Sequence, residues 1–234
     1  MPVTYTLLPG LHGDTTLFPP LVEDLGDVLT ECVEYPTTIS QSYDSLEKWL
    51  SEQLDWQIPR VIIAESFSGP LALRLAKRFP HSVQSLVLAA SFCASPKNPN
   101  LAILPLRPLL MLSPPKRTLR HFLIGDEASE QQVTELKKIV SRIPSKVLSQ
   151  RIRAILGLQS SDSPCLKKLP MLILQASDDN MVPWETQNQL CMHYDHATTH
   201  WLDGPHLILQ SASAECASII KDFAEQSTPQ VSYV

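Results

Sequence analysis

Short apolar runs alternate with longer stretches of helical spacing along most of this 234-residue chain. The runs VTYTLL (3–8), CVEY (32–35), RVIIA (60–64), SLVLAA (85–90), MLILQA (171–176) and TTHWL (198–202) have strand length. Between them, SYDSLEKWLSEQL (42–54), the segment Phe67–Phe79, Pro183–Met192 and Ser211–Gln226 repeat apolar residues at helical intervals. Strands alternating with helices predict an α/β fold, a mostly parallel sheet with helices on both faces. The final STPQVSYV predicts a loose tail.

The alternation fails in one region. From Phe92 to Lys168 prolines are frequent and no run has strand character. Val133, Leu136, Val140 and Ile143 share one helical face, and Val147, Leu148, Ile152, Ile155 and Leu156 another. Residues 92–168 are therefore expected to form a helical cap inserted into a core made of 1–91 and 169–234. The apolar stretch Leu101–Leu112 either lines a pocket or packs the cap onto the body.

Charge divides the chain in the same place. The cap segment holds thirteen Lys or Arg against five Asp or Glu, a net of +8, and the remainder carries −13 of a total of −5. The chain as a whole has no basic excess of the kind that binds nucleic acid. A one-signed cap is either a solvated surface or an attractor for an anionic substrate or acidic partner. Cys32, Cys93, Cys165, Cys191 and Cys216 are scattered and never in CxxC spacing, which fits reduced thiols and neither a zinc site nor a disulfide framework. The first residues, MPVTYTLLPG, lack the features of a signal peptide, and no uncharged apolar run has membrane-spanning length. A cytoplasmic protein without membrane insertion is the expectation.

Candidate chemistry centres on AESFSGP, Ala64–Pro70, where a predicted strand runs straight into a predicted helix. Such a turn raises one side chain above the sheet edge, provided its neighbours are small, because the helix folds back against the strand. Ser66 is the raised residue, Ser68 opens the helix, and Pro70 falls in the first turn, where its missing N–H is harmless. A serine hydroxyl needs a base oriented by a carboxylate. Asp178 and Asp179 follow the run MLILQA, and His206 follows TTHWL, so acid and histidine lie after later strands in that order. No histidine or cysteine cluster has ligand spacing and no Gly-rich phosphate loop is present, so no metal or cofactor is expected.

With these elements in order the chain resembles the α/β-hydrolase superfamily of serine-esterase type over nearly its whole length. Ala64 and Ser68 stand where the family's G-x-S-x-G has glycines. The resemblance implies an α/β-hydrolase fold with a shortened sheet of about six strands. It favours Asp179 over Asp178, since Asp179-Asn180-Met181-Val182-Pro183 matches the family's D-x-x-V-P, and it matches Gly204-Pro205-His206-Leu207 to the family's histidine loop. The loop Leu8–Asp14 corresponds to the family's oxyanion loop, with Pro9 in place of a histidine. The implied oxyanion donors are the backbone N–H groups of Leu11 and Phe67. His12, beside that loop, is either a substrate contact or an exposed loop residue.

The reaction so implied is cleavage of a carboxylic ester or thioester by Ser66, His206 and Asp179 through an acyl-enzyme. Among helix-capped esterases the chain is loosely similar to pimeloyl-acyl-carrier methyl ester esterases of biotin synthesis. That similarity implies an acidic acyl carrier protein docking on cap cations, here Arg142, Lys146, Arg151 and Arg153. Two alternatives stay open: a cofactor-free lyase of the menaquinone-synthesis type, and a receptor that keeps the triad to sense a small molecule.

Overall fold

The computed structural model describes residues 3–227. The tail expected over 227–234 thus lies outside the described residues from position 228 onward. A six-stranded, wholly parallel sheet runs in the order β2-β1-β3-β4-β5-β6, with β1 Thr4–Leu8, β2 Thr30–Cys32, β3 Arg60–Glu65, β4 Val83–Ala89, β5 Met171–Ala176 and β6 Thr198–Leu202. Each central strand sends alternate residues to opposite faces. Ile62 and Ala64 of β3, Leu86 and Leu88 of β4 and Ile173 of β5 join one core, which also holds Leu46, Leu50, Leu71, Leu75 and Leu190. That core lies under helices α2 (Tyr43–Gln53), α3 (Gly69–Arg78) and α8 (Trp184–His193). Val61, Ile63, Val87, Leu172 and Leu174 face the other way, against α1 (Pro19–Leu25), α9 (Ile208–Ser211) and α10 (Ser213–Ser227).

Local chemistry explains the helix boundaries. The Ser42 hydroxyl accepts the Ser45 N–H to start α2, and Ser129 with Gln132 forms a reciprocal cap at the start of α6 (Glu130–Arg142). α1 has no counterpart among the sequence-based expectations. It is seven residues long and begins with two prolines. It exists because Leu21 and Leu25, four apart, are buried against α10.

β2 also differs from expectation. The run 32–35 was expected to pair, yet the ladder covers Thr30–Cys32, all half-buried. Val33 and Tyr35 lie past the strand end, their side chains turned into the core beneath α2. Their apolar character reflects that burial and not sheet pairing.

Between β4 and β5 the described residues form helices and turns without a strand: α4 (Leu106–Leu109), α5 (Lys116–Leu119), a π-type turn Arg120–Ile124, α6 and α7 (Ser145–Leu156). This segment is laid over the carboxyl ends of the strands through Leu119 and Leu136, which pack on Leu207, and through the Leu207 N–H to Leu123 carbonyl bond of 2.9 Å. Within Leu101–Leu112, Leu106 is buried, whereas Leu101, Ile103, Leu104, Met111 and Leu112 are exposed. No helix among the described residues is long and apolar enough to cross a membrane.

Candidate active site

The chain leaves β1 toward β2 on one side and continues from β3 toward β6 on the other, so the sheet changes direction between β1 and β3. Loops leaving two such strands diverge and open a crevice at their carboxyl ends. Here those loops are Pro9–Asp14 and the turn Ser66–Ser68 that leads into α3.

Ser66 has φ 48°, a left-handed conformation that costs a side-chain-bearing residue about 1–3 kcal/mol. Neighbours hold it there. The Ser91 hydroxyl donates to the Ser66 carbonyl at 2.8 Å, and the Tyr43 hydroxyl donates to the Phe67 carbonyl at 3.0 Å. The Ser68 hydroxyl donates to the Pro9 carbonyl. Because that uses its proton, the Tyr35 hydroxyl 2.6 Å away must donate to Ser68. Burial pushes the Tyr35 phenol up, which keeps it a donor. Ser68 does stand at the N-cap of α3, as its place in the sequence suggests, but its side chain makes no capping bond to the helix. It ties the elbow to the loop after β1.

The close approach that requires a missing side chain is at Gly69, not at Ala64 or Ser68. A Cβ on Gly69 would lie 1.8 Å from the Ser91 hydroxyl oxygen. The roles of Ser91 and Gly69 have no motif signal; only their small size beside a strand end hints at them.

Ser66, Asp179 and His206 meet at hydrogen-bond distance. His206 Nε2 is 2.9 Å from Ser66 Oγ, and His206 Nδ1 is 2.7 Å from Asp179 Oδ2. The carboxylate can only accept, so Nδ1 carries the proton and Nε2 is left as an acceptor for the serine proton. Asp179 is oriented by its other oxygen, which accepts the Met181 and Val182 N–H groups at 2.8 Å each. Asp178 points to solvent, and its N–H goes to the Gly204 carbonyl at 3.0 Å.

Ser66 and His206 line a cavity of about 710 Å³ together with Gly10, Leu11 and His12 below and cap residues such as Leu110, Met111, Leu148 and Ile152 above. Of the two implied oxyanion donors, Leu11 lines this cavity, and Phe67 follows Ser66 directly and is buried. His12 is a half-buried cavity residue and not a solvent-exposed one. A larger groove of about 920 Å³, lined by acids including Asp126, Glu127, Asp178 and Asp203, contains neither Ser66 nor His206. The smaller cavity is therefore the candidate site. Among the described residues no group of three or more His, Cys, Asp or Glu could hold a metal ion.

The cap cations separate into two kinds. Arg142, Lys146 and Arg153 are exposed. Arg151 is not a surface docking residue: it is 1 % exposed, because its guanidinium turns inward to bond Gln41 and the carbonyls of Leu11 and His12.

Sheet order, strained elbow and capping segment define the protein as an α/β-hydrolase. Residues 37–208 match the model of the serine aminopeptidase S33 family. The chain belongs to that family and is a hydrolase. Solved structures agree on the fold. A hydrolase from Oleispira antarctica superposes with a TM-score of 0.77 at 12% identity, over 96% of this chain and 91% of the other. An esterase from Exiguobacterium antarcticum gives 0.75 at 12% identity, over 95% and 91%. The enol-lactonase from Burkholderia xenovorans gives 0.77 at 13%, over 96% and 92%. No curated protein matches the chain by sequence.

Proposed function

We propose that this hydrolase is a serine carboxylesterase acting on an ester or thioester with an apolar acyl group. One observation carries the reading: a left-handed Ser66, with His206 at 2.9 Å and Asp179 behind it at 2.7 Å, lies at the floor of a largely apolar cavity. In this mechanism His206 Nε2 takes the Ser66 proton as Oγ attacks the carbonyl carbon. The Leu11 and Phe67 N–H groups receive the developing oxyanion. The same proton then passes to the leaving alkoxide or thiolate, which departs and leaves an acyl-serine. Water, deprotonated by His206, attacks that ester and releases the acid, and the proton returns to Ser66. Asp179 stabilises the imidazolium in each half.

Cavity composition supports an apolar acyl chain over a multiply charged substrate. Among the described residues lining it, Lys97 is the one Lys or Arg, whereas an anionic lyase substrate would call for several cations facing the nucleophile. An acidic carrier protein delivering the acyl group is the proposed partner, and its support is the exposure of Arg142, Lys146 and Arg153 on a cap of net charge +8.

The test is hydrolysis of p-nitrophenyl esters of increasing acyl length by the wild type and by Ser66→Ala. Turnover that disappears in the variant, with an optimum at intermediate or long chains, is the expected result. Equal turnover by both proteins refutes Ser66 as the nucleophile.

A further inference from the structure

Arg151 lies on cap helix α7, yet its charge is spent inside the protein. Nη1 donates to the carbonyls of Leu11 and His12 at 2.8 Å each, and Nε donates to Gln41 Oε1 at 2.9 Å. The guanidinium carbon is 5.6 Å from the Tyr35 ring and 5.9 Å from the Phe67 ring. Gly13 makes room for it, since a Cβ there would lie 1.9 Å from Nη1.

These contacts fix successive peptide planes. The Gly10 carbonyl accepts the Gly13 N–H at 3.1 Å, closing a turn over Gly10–Gly13. In a trans peptide the carbonyl and the next N–H point in opposite directions, so this bond directs the Leu11 N–H outward from the turn. The following two planes, 11–12 and 12–13, are held by Arg151 through their carbonyls. The same side chain packs on the ring of Phe67, whose N–H is the second proposed donor. One cap residue therefore touches both halves of the proposed oxyanion hole.

We propose that Arg151 is a positioning residue that makes oxyanion stabilisation conditional on a seated cap. The proposal rests on the reading of Ser66 as nucleophile and deepens it. If α7 lifts, the guanidinium withdraws, the carbonyls of Leu11 and His12 lose their donor, and the turn that directs the Leu11 N–H is left to its Gly13 to Gly10 bond alone, without the two braced planes that follow it. With α7 seated the donors are aligned before substrate arrives, which is the preorganisation that gives such dipoles their effect.

A purely structural role accounts less well for a cation at this place. Burial lowers the proton affinity of Arg151, bringing its pKa to about 10, and Tyr35 and Asp14 offset this only in part. Among the described residues no carboxylate reaches ion-pair distance of it. An apolar side chain of similar length would pack α7 without that desolvation, but it could not hold two carbonyls and an amide oxygen at once.

The experiment measures kcat and KM for a p-nitrophenyl ester in Arg151→Met, Arg151→Lys and Arg151→Ala, with Ser66→Ala alongside. Rates are taken per active site titrated with a fluorophosphonate, so that an unfolded fraction does not count. The expected result for Arg151→Met is a kcat lower by about 100-fold, the scale of one lost oxyanion donor, with KM changed less than about threefold. Affinity for a boronic acid that adds to Ser66 falls in the same ratio as kcat/KM, and added guanidinium at tens of millimolar restores about tenfold to Arg151→Ala. A merely structural role leaves kcat per titrated site unchanged. If the Met and Ala variants do not fold, Arg151→Lys decides: it keeps the buried charge but not the fork, so a kcat about tenfold lower at unchanged KM supports the proposal. A kcat per site within threefold of wild type, with Ser66→Ala inactive, overturns the role of Arg151 and leaves the nucleophile standing. Activity persisting in Ser66→Ala overturns both.

Discussion

Substituting Gly69 by alanine tests the packing that keeps Ser66 strained. The new Cβ would sit 1.8 Å from Ser91 Oγ and 2.8 Å from Ser91 Cβ, where carbon contacts settle near 3.5–4.0 Å. Rotating the Ser91 hydroxyl away relieves the first clash but breaks its 2.8 Å bond to the Ser66 carbonyl. The second clash involves Cβ atoms, so no rotamer relieves it and the backbone after β4 or at the start of α3 must shift. Overpacking of this kind costs about 1–3 kcal/mol. A buried carbonyl left without its donor adds about 1–3 kcal/mol. The expected loss in Gly69→Ala is therefore ~2–6 kcal/mol by urea unfolding, and a displacement of the elbow approaching 1 Å would lower kcat by about 100-fold. Adding Ser91→Gly removes both clashing atoms, and the remaining contact, Leu88 Cδ2 at 3.7 Å, is ordinary. The double variant should regain the overpacking part and not the hydrogen-bond part, and so be about 1–3 kcal/mol more stable than Gly69→Ala alone. Gly69→Ala within ~0.5 kcal/mol of wild type, or a double variant no more stable than Gly69→Ala alone, would refute this account of the elbow.

Asp179→Asn should keep the Met181 and Val182 N–H bonds on its carbonyl oxygen while turning an amide N–H₂ toward His206 Nδ1. That selects the wrong imidazole tautomer and lowers kcat by about 10³–10⁴-fold with little change in the unfolding midpoint; an ester kcat within tenfold of wild type would contradict it. Thiol titration should find Cys165 first, since it is exposed. Burial pushes the thiols of Cys93 and Cys216 up to about 11 and about 12. Their thiolates are therefore scarce in the folded protein, and raising the pH from 7 to 9 should not expose them to a disulfide reagent until denaturant is added. Rapid native labelling of Cys216 at pH 8, read by peptide mass, would mean that α10 opens easily.

Elements bounded by clear local signals were readable from the chain. β5 and β6 fall where short apolar runs end in polar loops, and α2 begins at a serine that does cap it. Ser66, Asp179 and His206 could be nominated because each follows a predicted strand, and a parallel sheet collects all such ends on one side. β2 slipped because Val33 and Tyr35 satisfy a strand pattern while serving the core beneath α2. α1 was missed because seven residues opening with two prolines have little helical signal of their own, and only α10 makes them worth ordering.

The sequence by itself determined the alternation of strand and helix, the order of serine, acid and histidine, and the insertion of a basic helical segment, all of which depend on local residue patterns. Tertiary structure alone decided what Ser68, Ser91, Gly69 and Arg151 do. Ser68 reaches Pro9, 59 positions earlier, and Arg151 reaches Leu11, 140 positions earlier. Such pairings have no periodicity, and a side chain's hydrogen-bonding capacity does not state its partner. Arginine on a positive cap reads as a surface charge until the fold supplies three oxygens and two rings to bury it against.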